Sequence, residues 1–423
     1  MRRRIDAVSD RWSFLVLPAS VDLGRRHVWA GRNSAKLMAF PPVPDPPVTA
    51  DLSALLDKAN LALCRLDGAL GAHAEAPAFV TMQLRREAVM SCRIENESST
   101  LAAVLDAAVG QDDDEFSASA GAPVRCCQAL ERGLAEASRE PLNLDSVAAI
   151  QAALTGDSQG TGDLAGRTLD EGGAELGTGL ADLDEFLTAR GALPDIVRIG
   201  MAQAQFRRLL PADLGDGRLE RIAVLAMFRR LGVPGASALA LSPYFQSHRR
   251  GYQTHLRGPW APWLVFFVKA VAESATQAAE MIRRCAILAR EHREAICAGL
   301  GHAVGRGLQV FGRLTAEPVA TVSGVRAITG TSYVAANQLV ARFVEMGILE
   351  EITGYRRNRR FQYGPYVRIF DPDPTEAPEP PKPGPTSKLP RRRARAMPRR
   401  RSPERPTPTP KRRRSPPFSD HLL

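Results

Sequence analysis

Apolar residues recur at helical spacing through most of this chain. From Leu52 they fall at Leu55 and Leu56, then at Leu61, Leu63 and Leu66, the interval that lines one face of a helix. The same spacing predicts a helix over AFVTMQLRREAVMSCRIE (78–95), a break in the Gly/Asp-rich stretch 110–122, and helices over about 123–155. Residues 155–180 (TGDSQGTGDLAGRTLDEGGAELGTG and on) carry glycines and no period, and are predicted as a loop. Helices then resume over LADLDEFLTARG, PDIVRIGMAQAQFRRLL, RLERIAVLAMFRRLG, SPYFQSHRRGYQTHLRG and the long run 261–297. Near the end, TVSGVRAITG predicts a short helix closing on Gly330. TSYVAANQLVARFVEMGIL follows with a Thr/Ser cap and apolar residues at Val334, Leu339, Val340, Phe343 and Val344. Strand signals arise only in ILEEITGYRRNRRFQY, a hairpin with Gly354 near its turn. The pattern as a whole predicts a mainly α protein with a small β wing.

Composition changes this picture at the two ends. Residues 1–50 are irregular and close on PPVPDPPVTAD. Residues 371–423 hold 15 of the 32 prolines and 14 Lys/Arg against 6 Asp/Glu. The net charge of +10 is therefore mostly the tail's, and the remainder is near +2. Such a segment cannot bury apolar surface; it is expected to be disordered and to attract polyanions. No run of 18 apolar residues exists, and the best candidate, WLVFFVKAVA from Trp263, is broken by Lys269. The opening MRRRIDAVSDRWSFLVLPAS is too short in its apolar patch, and too interrupted by Asp6 and Asp10, for a signal peptide. A cytoplasmic location with no membrane partner is expected. Cys64, Cys92, Cys126, Cys127, Cys285 and Cys297 form no CxxC pair and have no histidine at ligand spacing. They read as core thiols, and no metal site is expected.

Candidate chemistry lies in LLPADLGDGRLER (209–221). Gly215 and Gly217 permit a tight turn with exposed N–H groups, and a helix starts near Arg218. Free N–H groups and the helix dipole make such a point an anion site. Arg218 and Arg221 lie three apart and project from one turn, and the planar guanidinium fork suits phosphate. By itself this is also the text of an ordinary turn followed by solvated arginines.

The surrounding text resembles the Fic (Fido) family. AQAQFRRLLPADLGDGRLERI matches the family's core motif HPFxDGNGRxxR and the segment before it at Ala204, Gln205, Phe206, Pro211, Gly215, Gly217, Arg218 and Arg221. RREAVMSCRIENESSTLAAVL (85–105) resembles the family's N-terminal helix RxEAxxSSRIEGTxxTLxxLL, with Ser91, Glu95 and Asn96 in its inhibitory pattern. Ser91 and Glu95 are one turn apart on one helix face. LALSPYFQSHRRGYQTHLRG resembles a third family segment, in which Tyr252 falls on a tyrosine lining the adenine pocket; a plain core tyrosine is the alternative. The resemblance spans roughly residues 40–370. It implies a Fic-type helical fold and a scaffold for AMP transfer from ATP to hydroxyl side chains of a target protein. It also implies a Glu95–Arg221 pair that occupies the group needed for the γ-phosphate, and nucleotide contacts from Glu95, Gly215, Asp216, Gly217, Arg218, Arg221 and Tyr252.

The match fails where the chemistry is carried. The family's general-base histidine is Leu210, its phenylalanine is Ala212, its acidic Mg²⁺ ligand is Leu214, and its second-glycine neighbour asparagine is Asp216. Leucine accepts no proton, and loss of a general base costs about 10²–10⁴-fold. The glycine-rich 155–180 stands where the family has its target-clamping flap, with Gly166 and Arg167 faintly matching its start. ATP binding without efficient transfer is the implied function, with Mg²⁺ doubtful and no intact catalytic residue. A self-inhibited transferase using other groups is a further reading.

Residues 306–366 resemble the winged helix-turn-helix often appended to such proteins. Its candidate DNA contacts are Asn337 and Gln338 on the second helix and Arg356, Arg357, Arg359 and Arg360 on the wing. Such modules serve equally for docking or homodimers. The alternative function is therefore a non-enzymatic DNA-binding or regulatory protein acting through this module and the basic tail. The expected organisation is an irregular extension (1–39), an N-terminal helical region with the inhibitory helix (40–122), a Fic domain (123–300), a winged helix (301–370) and a basic tail (371–423).

Overall fold

The computed structural model describes residues 50–98, 100–108, 121–137, 143–156, 171–188, 193–209, 217–354 and 358–371. The expectations for residues 1–49, for the tail beyond 371, and for Gly166, Arg167, Leu210, Ala212, Leu214, Gly215, Asp216, Arg356 and Arg357 lie outside them.

The described chain is mostly helical. In order, its helices are α1 (Ala50–Ala72), α2 (Ala76–Ile94), α3 (Leu101–Ala107), α4 (Gly121–Ala137), α5 (Leu144–Thr155), α6 (Glu171–Thr188), α7 (Asp195–Leu209) and α8 (Arg218–Arg230). After these come α9 (Ser242–Ser247), α10 (Arg249–Leu256), α11 (Trp260–Gly299) and α12 (Val304–Ala316). Local chemistry fixes several ends. The Thr100 hydroxyl accepts from the Ala103 N–H and starts α3. Asn143 and Ser146 form a reciprocal capping box on α5, which closes on Gly156 at φ 78°.

One core joins these helices. The 40-residue α11 packs along α1 and crosses α7. At that crossing Trp263 donates its ring N–H to the Gly200 carbonyl at 2.7 Å. A Cβ on Gly200 would stand 2.7 Å from the Phe267 ring, so this glycine is what lets α7 and α11 approach. Phe206, Phe228, Phe245 and Phe267 are fully buried around it. Among the described residues no helix is long and apolar enough to cross a membrane.

The chain from α12 onward forms a smaller module. It comprises β1 (Val319–Thr321), α13 (Val322–Thr329), α14 (Tyr333–Glu345), β2 (Glu350–Glu351), β3 (Arg360–Gln362) and α15 (Gly364–Phe370). The three strands form an antiparallel sheet in the order β1-β3-β2, with Val319 opposite Gln362 and Glu350 also opposite Gln362. Thr321 caps α13, which closes on Gly330, and Ser332 caps α14. The module is stitched to the helical body by Phe370 against Phe79 (5.5 Å between ring centroids) and by a 2.7 Å hydrogen bond between His292 on α11 and the Tyr363 hydroxyl.

One reading of the pattern needs correction. The glycine-rich stretch 155–180 is not all loop, because α6 begins at Glu171. Its last turns bury Leu180, Leu183 and Leu187, and that burial outweighs the poor helix propensity of the glycines. On α14, Leu339, Val340 and Phe343 are buried, but Val334 and Val344 are exposed (65% and 41%) because they lie off the inward stripe.

Candidate functional site

The site is built where the end of α2 meets the start of α8. Gly217 caps α8 at φ 96°, a left-handed value that L side chains avoid. A Cβ there would stand 2.7 Å from Arg221 Nη1 and 2.9 Å from Glu95 Oε1. The glycine thus allows both the turn and what sits over it.

Arg221, 2% exposed, is held by the last turn of α2 and its cap. Its Nε donates to the Ser91 hydroxyl at 2.8 Å, and its Nη2 donates to the Ser91 carbonyl at 3.0 Å and to Glu95 Oε1 at 2.8 Å. A buried guanidinium is tolerable only with such partners. Burial alone would lower its pKa. Tyr252, Glu95 and Glu220 outweigh that and raise it, so Arg221 is held charged. The pair that the family resemblance implied is therefore present in the geometry, serine included.

A second layer of contacts surrounds this pair. Arg218 donates to Glu97 Oε1 at 3.0 Å and lies 3.9 Å from the Cys92 sulfur. Arg249 on α10 donates to Asn96 Oδ1 at 2.7 Å. The neighbouring Cys126 thiol on α4 and Arg218 lower the Cys92 pKa against the opposing effect of burial, whereas Cys92 and burial push Cys126 well up. All six cysteines are free thiols.

Behind Arg221 sits a buried polar cluster. Glu220 Oε1 accepts from Gln203 Nε2 at 2.6 Å and from the Tyr252 hydroxyl at 3.0 Å, and its other oxygen lies 3.8 Å from Arg207. Burial pushes the Glu220 carboxyl up. Tyr252 is 3% exposed and stacked on Phe245 at 4.3 Å, the setting of a core tyrosine. Acids in a first helical turn ordinarily face solvent, so no sequence signal distinguishes Glu220. The signal for Glu97 was only its place two residues past Glu95.

The proposed DNA contacts are mostly engaged within the chain. Asn337 accepts from Arg359 at 2.9 Å, and Arg359 also lies over the Phe361 ring and 3.6 Å from Glu351. Arg360 does not face outward as expected: it is ion-paired with Asp106 on α3, with little exposure on either side, and so ties β3 to the helical body. Gln338 is exposed and, with His302, Arg306 and Arg342, lines an open cavity of about 240 Å³.

Residues 53–135, which include α2 and its acids, match the family model described as the Fic/DOC family N-terminal region. Among solved structures, the crystal structure of a Fic family protein from Desulfovibrio desulfuricans G20 is similar over 76% of this chain and 98% of that chain, at 15% sequence identity and a TM-score of 0.45.

Proposed function

We propose that this chain, which belongs to the Fic family by its N-terminal region, is a self-closed polyphosphate-binding protein built on an adenylyltransferase scaffold, with ATP its ligand and little or no AMP transfer. One observation carries the reading: Ser91 and Glu95 together accept three hydrogen bonds from Arg221 at the start of α8. A guanidinium fork at a helix N-terminus capped by a left-handed glycine suits a phosphate, and an acid seated on it is a competitor for that phosphate.

The residues fit the nucleotide's phosphates but not its metal. Arg221 and Arg218 would hold phosphate oxygens once their acids withdraw. Leu214, at the family's metal-ligand place, offers no oxygen, and Leu210 offers no base. Bound ATP would present its α-phosphate for transfer. In this chain no group at Leu210 takes the proton from an incoming hydroxyl, so transfer stalls at that point.

Nucleic-acid binding through a C-terminal winged helix and the basic tail is the alternative. It has weaker support, because Asn337, Arg359 and Arg360 already hold partners within the chain.

Calorimetric titration with ATP tests the proposal. Glu95→Gly is expected to bind ATP more tightly than the parent, and Arg221→Ala in that background to abolish the gain. ATP affinity indifferent to both changes would sink the reading.

A further inference from the structure

We propose that Glu97 is a second closing acid: it blocks Arg218 while Glu95 blocks Arg221, so the site is shut by a two-point latch on a single turn. The inference rests on reading the start of α8 as a polyphosphate site, and it adds a residue outside the pattern that marks Ser91, Glu95 and Asn96.

The turn's own geometry produces the latch. α2 ends at Ile94 with Glu95 as its cap, and Asn96 follows at φ 64°, a left-handed conformation that asparagine tolerates better than most residues. The Asn96 N–H bonds the Arg93 carbonyl at 3.1 Å, and the Glu97 N–H bonds the Cys92 carbonyl at 3.2 Å. These two bonds are a Schellman closure, which folds the chain back over the last helical turn. Glu95 and Glu97, on either side of the reversal, thus face the same helix start. Across from them, Arg218 and Arg221 are three residues apart on α8 and share a face. The register is one to one, at 2.8 Å for Glu95 with Arg221 and 3.0 Å for Glu97 with Arg218. Arg249 holds the apex of the turn through Asn96.

The two points differ in depth. Arg221 is 2% exposed and Glu95 21%, whereas Arg218 is 16% and Glu97 37%. Water reaches the outer pair, so Glu97 is the weaker hold and the first to yield. A polyphosphate spanning both arginines must displace both acids; removing Glu95 alone leaves the outer arginine closed. The latch therefore sets affinity in two steps.

Titration of the full-length chain with inorganic tripolyphosphate tests this, using the parent, Glu95→Gly, Glu97→Ala, the double variant and Glu131→Ala. Glu131 is an exposed acid on α4 and controls for a bare change of charge. Thermal melts establish that each variant is folded. Glu97→Ala is expected to tighten binding by about three- to tenfold, and the double variant to bind more tightly than either single variant, without strict additivity because the two pairs are neighbours. Glu131→Ala is expected to match the parent. If Glu95→Gly tightens binding and Glu97→Ala adds nothing, the second point of the latch is overturned while the phosphate-site reading stands. A gain from Glu131→Ala equal to that from Glu97→Ala also overturns it, as a general charge effect. If the folded double variant binds tripolyphosphate no better than the parent, the phosphate-site reading fails and takes the latch with it.

Discussion

Arg221 depends on side chains that lie 130 and 126 residues earlier in the chain. Ser91 supplies the one hydroxyl that meets its Nε. Ser91→Ala is therefore expected to leave a buried charged donor unpaired and to destabilise the fold by about 1–3 kcal/mol, read as a lowered denaturation midpoint. A change no larger than that of an exposed alanine substitution would contradict the pairing. Gly217→Ala is expected to be worse for the site than for the fold. It strains a left-handed residue at a cost of about 1–3 kcal/mol, and its methyl drives into Arg221 and Glu95. Ser91, Glu95 and Arg221 were legible in the sequence because each occupies a place in a recognisable pattern. Glu97 and Glu220 were not: each is one acid among many until the backbone shows where it points.

Among the elements, the helices with a clean apolar stripe were legible. α6 was legible only in its second half, where Leu180, Leu183 and Leu187 carry the stripe; its glycine-rich start from Glu171 carries none. The strands of the C-terminal hairpin are only two and three residues long, and Arg360 turns inward to Asp106. The contact between α11 and the C-terminal module predicts a pH response. His292 bonds the Tyr363 hydroxyl and packs edge-on against Phe311, and burial lowers its pKa, with Glu291 opposing in part. The unfolded chain takes up this proton near pH 6.5 and the folded chain only below that. The unfolded state therefore binds more protons in that window, and stability falls as pH drops from about 6.5 toward the lower folded value. His292→Gln is expected to flatten this slope in melts taken across the window. An unchanged slope would show that other groups set it. At the other end of α11, Trp263→Ala is expected to cost about 3–5 kcal/mol, because it empties a fully buried site and orphans the Gly200 carbonyl.

For the whole molecule, the charge of +10 belongs mainly to the last 53 residues. Any polyanion affinity they carry is expected to fall steeply with salt. The site at α8 is expected to keep its ATP affinity in Glu95→Gly when residues 372–423 are deleted, because the paired groups all lie outside that segment. A loss of ATP binding on deletion would move the site's electrostatics to the tail. On the proposed reading, the chain lacks a base at Leu210, a metal ligand at Leu214 and access at Arg221. The most direct measurement is intact-mass analysis after incubation with ATP and Mg²⁺, comparing the parent with a variant carrying Glu95→Gly, Leu210→His, Leu214→Asp and Asp216→Asn. Base, metal ligand and phosphate clamp act as a unit, so no single change is expected to suffice. The account predicts an unmodified parent and an AMP adduct on the folded quadruple variant. An AMP adduct on the parent would contradict it, and so would a folded quadruple variant that neither binds ATP nor acquires AMP.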